Sequence, residues 1–187
     1  MKNLFIIPGY TDTASDPQYK EIIKIAKSKG YVIHKVPIQW KYRTVSDYIG
    51  QFKEFYSKHK SNNDYFFGFS YGAVVAFSTA EELKPKKIFL CSLSNDFKED
   101  LKGIENRARK FLGKKRFEDT KARSAVQIAK KLAIPTIVLY GEKEHDRLKK
   151  RCEETVKLAK HAKLVVVKNA DHEIGHLEYI KAIKAVL

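Results

Sequence analysis

The sequence contains little cysteine and no long hydrophobic run, and both absences restrict what the protein can be. Only two cysteines occur among 187 residues, Cys91 and Cys152, and they lie far apart, outside any CxxC or metal-ligand spacing. We therefore expect no disulfide framework and a reducing, cytoplasmic environment. No apolar run approaches the ~18–20 residues that cross a bilayer. The apolar stretch at residues 4–7 is also too short for a signal peptide.

Arginine is scarce in a strongly basic chain. The formal net charge is +15, from 37 Lys and Arg against 22 Asp and Glu. Only seven of these basic residues are arginine, the side chain that binds phosphate and guanine through two parallel hydrogen bonds. A lysine-dominated excess is more typical of a solvated surface than of a nucleic-acid site. We therefore expect neither a nucleic-acid nor a membrane partner.

Short apolar runs alternate with stretches of helical periodicity, which predicts an α/β fold. The run at residues 4–7 ends at Pro8 and Gly9, as is typical of a strand buried on both faces. Further strands are predicted at 31–36, 64–69, 87–91, 136–140 and 163–168. Helices are predicted at 17–29, from 46, at 71–83, 122–132 and 146–160, and from 175. Repeated strand–helix–strand units favour one domain, residues 1–187, built as a three-layer α/β/α sandwich with a mostly parallel central sheet.

One charged segment interrupts this alternation. Residues 95–121 separate a predicted strand from the next clear helix, and apolar residues at three- to four-residue spacing within them predict a helical insertion. Residues 98–131 contain twelve basic and five acidic side chains, a local net charge of +7. We expect this segment to lie over one end of the sheet.

The strongest chemical motif is a G-x-S-x-G sequence, Gly68-Phe69-Ser70-Tyr71-Gly72, placed between a predicted strand and a predicted helix. This context favours a sharp turn that presents the Ser70 hydroxyl above the sheet as a nucleophile. The residues two before and two after the serine must be small, and Gly68 and Gly72 satisfy this requirement. The backbone N–H of Tyr71, at the start of the helix, is a candidate donor to an oxyanion.

A nucleophilic serine needs a base, and His172 is the favoured candidate among six histidines. It directly follows the strand predicted at 163–168. Because the carboxyl ends of parallel strands lie at one edge of a sheet, His172 is expected beside Ser70. His176 is the competing candidate, although it is displaced into the last helix.

The base needs an orienting carboxylate, and three candidates follow predicted strands. Glu144 lies three residues after Gly141, which ends one of these strands, and it is the favoured acid. Asp146 is weaker because it is also suited to capping the next helix. Asp96 is the third candidate, placed after the strand at 87–91.

The order Ser70, Glu144, His172 on alternating strands and helices resembles the α/β-hydrolase superfamily, in particular its small serine hydrolases and carboxylesterase-like members. The resemblance extends over essentially the whole chain. It implies that Pro8-Gly9-Tyr10 forms the oxyanion loop and that the N–H of Tyr10 is the second oxyanion donor. The usual histidine of this loop is replaced by Pro8, and the family's usual aspartate is replaced by Glu144.

The resemblance implies hydrolysis of a small ester or thioester through an acyl-enzyme, with no metal and no organic cofactor. Under this hypothesis the partner is a small acyl substrate, and the basic segment at 98–131 would favour an anionic one. The alternative is a non-catalytic protein of the same fold that binds nucleic acid or another polyanion through its basic surface.

Overall fold

Six strands form one sheet in the computed structural model, which describes residues 1–187. The strands are β1 (Lys2–Ile7), β2 (Tyr31–Lys35), β3 (Asp64–Phe69), β4 (Lys87–Cys91), β5 (Thr136–Gly141) and β6 (Ala162–Val167). The helices are α1 (Pro17–Ser28), α2 (Val45–His59), α3 (Tyr71–Leu83), α4 (Glu105–Lys121), α5 (Ala125–Lys131), α6 (Asp146–Leu158) and α7 (Leu177–Val186). None of the seven helices combines the length and apolar character needed to span a membrane.

The strand order is β2-β1-β3-β4-β5-β6, and every neighbouring pair is parallel. The register aligns the carboxyl ends of the inner strands: Ile7 of β1 pairs with Gly68, and Phe69 pairs with Cys91. The loops that leave these strands therefore meet at one edge of the sheet. The predicted three-layer sandwich with a parallel sheet is confirmed.

Helices cover both faces of the sheet and enclose two apolar cores. The larger core contains 27 buried residues, to which α2, α3, α5 and α6 contribute. The smaller contains 17 buried residues and is closed by α1 and α7. Cys91 lies in the smaller core and Cys152 in the larger, and both thiols are buried and unpaired.

Two helices begin later than the periodicity predicts, and capping explains one of them. Helix α5 begins at Ala125, not at 122, because the Ser124 side chain accepts a hydrogen bond from the N–H of Gln127 at 3.2 Å. Helix α7 begins at Leu177, with His176 in extended backbone immediately before it.

The segment at 95–121 contains a 3₁₀ turn (Lys98–Leu101) and α4, which bends at Gly113, where φ is +75°. Buried Arg123 anchors its far end, since its guanidinium lies 2.8 Å from Asp119 and 3.8 Å from Asp96. The carbonyl of Asp96 accepts a further hydrogen bond from Arg123. These contacts hold the segment against the carboxyl edge of the sheet.

Candidate active site

Ser70 occupies a strained turn between β3 and α3. Its φ of +54° and ψ of −117° lie outside the regions that L-residues ordinarily adopt. A hydrogen bond ties the turn to the neighbouring strand β4, because the Ser70 N–H donates to the carbonyl of Cys91 at 2.9 Å. A Cβ added at Gly68 would lie 2.4 Å from the carbonyl oxygen of Gly72, and one at Gly72 would lie 2.1 Å from that of Ile7. Only glycine fits at these two positions.

A continuous series of hydrogen bonds joins Ser70, His172 and Glu144, and we call it the Ser-His-Glu array. His172 Nε2 lies 3.0 Å from Ser70 Oγ, and its Nδ1 lies 2.9 Å from Glu144 Oε2. The imidazole is exposed, whereas the Glu144 side chain has no exposed surface. The geometry places an imidazole between a hydroxyl and a carboxylate, an arrangement that suits general acid–base chemistry.

Two close contacts between loops bring Glu144 and His172 together. The N–H of Lys143 donates to the carbonyl of Ala170 at 2.9 Å, so the loop after β5 lies against the loop after β6. Gly141 is required at this contact, because a Cβ there would lie 2.5 Å from the Ala170 oxygen.

Glu144 Oε1 is surrounded by donors. It accepts hydrogen bonds from the N–H of Gly141 at 2.8 Å, from Ser92 Oγ at 2.7 Å and from the hydroxyl of Tyr179. Burial by itself raises the pKa of Glu144, but the hydrogen bonds from His172, Tyr179, Gly141 and Ser92 together outweigh it and hold this pKa below its ordinary value. Glu144 is therefore ionised at neutral pH and fixes the hydrogen of His172 on Nδ1.

The competing candidates lie elsewhere. Asp146 is 93% exposed and pairs with Lys149 at 2.9 Å. Asp96 is buried and accepts a hydrogen bond from Thr120 at 2.8 Å. His176 precedes α7, and its Nδ1 is buried without a hydrogen-bond partner. None of the three side chains joins the Ser-His-Glu array.

Three residues of the site have no counterpart in the sequence motif. Ser92 and Tyr179 contact Glu144, and Ser94 Oγ lies 3.0 Å from Ser70 Oγ. The two serines are the first and third residues after β4. The carboxyl ends of parallel strands lie at one edge of the sheet, and this rule could have indicated both serines. Tyr179 lies in α7 and shows no such signal.

The loop after β1 is fixed by a short series of hydrogen bonds. The N–H of Gly9 donates to the hydroxyl of Tyr19 at 2.8 Å, and this hydroxyl donates to Asp12 Oδ2 at 2.9 Å. Trp40 Nε1 donates to the carbonyl of Asp12 at 2.9 Å. The N–H of Tyr10 has no acceptor within the protein. The N–H of Tyr71 is the first of α3, where no intrahelical acceptor exists.

One residue of the basic segment reaches this loop. Arg116 Nη2 donates to the hydroxyl of Tyr10 at 3.4 Å, and Arg116 Nε donates to the carbonyl of Arg43 at 3.0 Å. Its guanidinium also lies 5.8 Å from the centre of the Tyr10 ring. Lys115 is turned toward Asp47, at 3.5 Å, and Lys114 is exposed.

A cleft of about 690 Å³ opens onto Ser70 and His172. Its wall includes the phenyl ring of Phe69, which lies 5.0 Å from the imidazole of His172. Apart from His172, the ionisable side chains that line it include three carboxylates, Asp12, Asp171 and Glu173, and no lysine or arginine. No three His, Cys, Asp or Glu side chains in the molecule are arranged to hold a metal ion.

Comparison with known proteins identifies the fold. No protein-family model and no curated protein sequence matches the chain. Among solved structures, Est1E from Butyrivibrio proteoclasticus superposes with a TM-score of 0.80 at 15% identity, covering 98% of this chain and 86% of that chain. Alpha/beta hydrolase domain-containing protein 10 from mouse gives a TM-score of 0.80 at 11% identity, with the same coverage of 98% and 86%. A lipase-esterase related protein from Clostridium acetobutylicum gives a TM-score of 0.73 at 16% identity, covering 99% and 93%. The chain therefore has the α/β-hydrolase fold.

Proposed function

We propose that this α/β-hydrolase-fold chain is a serine hydrolase that cleaves a small ester or thioester through an acyl-enzyme. The observation that carries the proposal is the Ser-His-Glu array at the carboxyl edge of the sheet, with hydrogen bonds of 3.0 and 2.9 Å and its hydroxyl end open to a cleft. The names of the similar structures, which include a lipase-esterase related protein, support an ester substrate.

The mechanism proceeds through two acyl transfers. Ser70 Oγ attacks the carbonyl carbon of the substrate while its proton passes to His172 Nε2, and the carbonyl π electrons move to oxygen. Collapse of this oxyanion expels the alcohol or thiol, which takes the proton from His172. Water then attacks the acyl-enzyme, with His172 again accepting and returning a proton, and the acid is released.

Three groups stabilise charge during these steps, two on the oxyanion and one on the imidazolium. The N–H groups of Tyr10 and Tyr71 receive the oxyanion, and one such donor is typically worth ~2.7–4 kcal/mol in the transition state. Glu144 stabilises the imidazolium through Nδ1–H, as its buried and ionised carboxylate allows.

A fluorophosphonate probe and a series of p-nitrophenyl esters of graded chain length test the proposal. The wild type is expected to react with the probe and to hydrolyse the shorter esters, whereas Ser70→Ala loses both activities. Ser57→Ala, on the exposed surface of α2, is the matched control and should behave like the wild type. Labelling that survives Ser70→Ala would contradict the assignment. Absence of turnover together with steeply salt-dependent binding to nucleic acid would favour the polyanion-binding alternative.

Preference for an anionic substrate rests on one side chain, Arg116. Two of its N–H groups are engaged by Tyr10 and Arg43, which leaves the others beside the proposed oxyanion loop for a carboxylate. Since the cleft lining itself is acidic, only a substrate whose anionic group passes Tyr10 would gain from this contact.

We expect Arg116→Gln to raise KM about tenfold for an ester with a carboxylate on its acyl group, because a charge-assisted hydrogen bond is lost. KM for a neutral ester of the same length should change little. Lys114→Gln, an exposed neighbour on α4, controls for the loss of net charge. Equal increases for both esters would exclude a role for Arg116 in substrate choice.

A further inference from the structure

A three-residue segment after β4 supports both ends of the Ser-His-Glu array. Residues 92–94 have the sequence Ser-Leu-Ser, and Leu93 is completely buried between the two serines. Ser92 Oγ lies 2.7 Å from Glu144 Oε1 at one end, and Ser94 Oγ lies 3.0 Å from Ser70 Oγ at the other. This segment thus links the acid to the hydroxyl independently of His172.

The backbone of this segment is strained. Ser92 has a φ of +54°, which a non-glycine residue rarely adopts. Its N–H donates to the carbonyl of Leu139 at 2.7 Å, and this bond holds the conformation. Strain of this kind persists where the surrounding structure imposes it, and such positions cluster at functional sites.

Hydrogen placement determines the direction of the Ser94–Ser70 hydrogen bond. Ionised Glu144 faces Nδ1 of His172, so the hydrogen of the neutral imidazole is on Nδ1 and Nε2 is an acceptor. The only hydrogen available between Nε2 and Ser70 is that of the Ser70 hydroxyl, which therefore donates to His172. Ser70 Oγ has no second hydrogen, and Ser94 must be the donor in their 3.0 Å contact.

The Ser94 hydroxyl makes no hydrogen bond within the protein other than the one with Ser70. Its only hydrogen-bond partner is Ser70 Oγ, and the side chain is half-buried at the edge of the cleft. The N–H of Asp96 donates to the backbone carbonyl of Ser94 at 3.2 Å, and this contact does not involve the hydroxyl. Most side-chain hydrogen bonds in proteins go to backbone groups or to water, so a hydroxyl whose single protein partner is the candidate nucleophile stands out.

We propose that Ser94 is a positioning residue that donates a hydrogen bond to the attacking oxygen of Ser70; this inference rests on the proposed function. Negative charge grows on Ser70 Oγ as its proton passes to His172, and the Ser94 hydrogen bond strengthens at the same time. Once the new bond to the acyl carbon forms, Ser70 Oγ is an ester oxygen and a weaker acceptor, and it regains negative charge only when the second tetrahedral intermediate collapses. The attack of water on the acyl-enzyme therefore gains less from Ser94 than the attack of Ser70 on the substrate does, and deacylation limited by that attack is affected less than acylation.

The test separates acylation from deacylation. Ser94→Ala is expected to slow fluorophosphonate labelling and the pre-steady-state burst of p-nitrophenol about tenfold each, the effect of losing one hydrogen bond of ordinary strength. The deacylation rate after the burst should change much less. Ser94→Thr retains the hydroxyl and should restore most of the labelling rate. Ser57→Ala serves again as the control for a remote serine.

Each outcome bears on the inference. Labelling of Ser94→Ala at or above the wild-type rate overturns it, and a faster rate would mean that Ser94 accepts from Ser70 and competes with His172. A lower melting temperature with an unchanged labelling rate of the folded protein would show a structural role only. A wild-type protein that does not react with the probe would overturn the proposed function itself, and the inference with it.

Discussion

At the scale of single residues, Glu144 illustrates how a buried carboxylate stays ionised. Three donors converge on its Oε1, and His172 occupies Oε2. A buried carboxylate without such partners would be neutral at pH 7 and could not stabilise an imidazolium. The hydroxyl of Tyr179 is one of these donors, and its removal leaves the others in place.

We expect Tyr179→Phe to lower the free energy of unfolding at pH 7 by about 1–3 kcal/mol, the cost of depriving a buried charged group of a donor. The pKa of Glu144 is lowered in the folded protein, so this carboxylate stabilises the fold above its unfolded pKa of about 4.3. This contribution is lost as the pH falls through the lower folded pKa. The difference between variant and wild type should therefore shrink below about pH 4. Urea unfolding across this range measures it.

Tyr48→Phe is the matched control for that experiment. The hydroxyl of buried Tyr48 lies 2.9 Å from the backbone carbonyl of Trp40 and 3.2 Å from that of Arg43, and both acceptors are neutral. Its removal should give a small loss of stability that does not change between pH 3 and pH 7. A loss for Tyr179→Phe that is equally independent of pH would assign the effect to packing.

The sequence indicated which side chains lie together at the site where a motif or a strand end restricted the choice. Glu144, Asp146 and Asp96 all follow strands, and spacing after Gly141 favoured the residue that the structure places against His172. Ser92, Ser94 and Tyr179 belong to no motif, and their contacts join positions 24 to 87 residues apart in the chain. Such contacts depend on loop conformation that periodicity does not report.

At the scale of elements, the turn from β3 to α3 is the best determined junction. Both boundaries were predicted to the residue because G-x-S-x-G restricts where the strand ends and the helix starts. Gly72 allows the turn to pack closely against the end of β1, because a side chain at this position would collide with the carbonyls of Ile7 and Pro8. The junction thus joins three neighbouring elements.

Gly72→Ala is expected to prevent stable folding or to destabilise the protein by more than about 3 kcal/mol, because the added Cβ meets rigid backbone. Gly50→Ala is the matched control. Gly50 lies within α2 with open space around its Cβ position, so alanine should stabilise the protein by about 0.5–1 kcal/mol. Thermal unfolding of both variants measures the contrast. A mild effect of Gly72→Ala would show that the turn can relax.

The elements without a motif were predicted less well. Helix α5 begins three residues later than predicted, directly after Ser124, because periodicity does not show which residue caps the helix. Helical periodicity at 95–121 predicted helix, but not the bend at Gly113. The placement of α4 depends on Arg123 and Arg116, whose partners lie in other parts of the chain. Charge density alone does not specify such partners.

At the scale of the whole molecule, the charge is unevenly distributed. The chain has a net charge of +15, yet the charged residues around Ser70 and His172 in the cleft are acidic. Several ion pairs, such as Lys58 with Glu54, join two exposed side chains and contribute little to stability. Repulsion among the many unpaired lysines therefore destabilises the folded state.

We expect the melting temperature to rise by a few degrees when sodium chloride increases from about 10 mM to about 150 mM, as the Debye length falls from ~30 Å to ~8 Å. A variant with Lys110, Lys114 and Lys121 replaced by glutamine should show a smaller rise, since these lysines of α4 are exposed and belong to the strongly basic segment at 98–131. A melting temperature that falls with salt would show that attractive ion pairs outweigh the repulsion.

The single tryptophan gives the protein a spectroscopic reporter. Trp40 is the only indole in the sequence, and it is buried with its Nε1 bonded to the carbonyl of Asp12. The Tyr10 ring lies 5.8 Å from the tryptophan ring. All indole fluorescence therefore originates beside the loop whose N–H we propose as an oxyanion donor. Movement of that loop on acylation would change the emission of the unlabelled protein, so its kinetics can be followed with any ester, chromogenic or not.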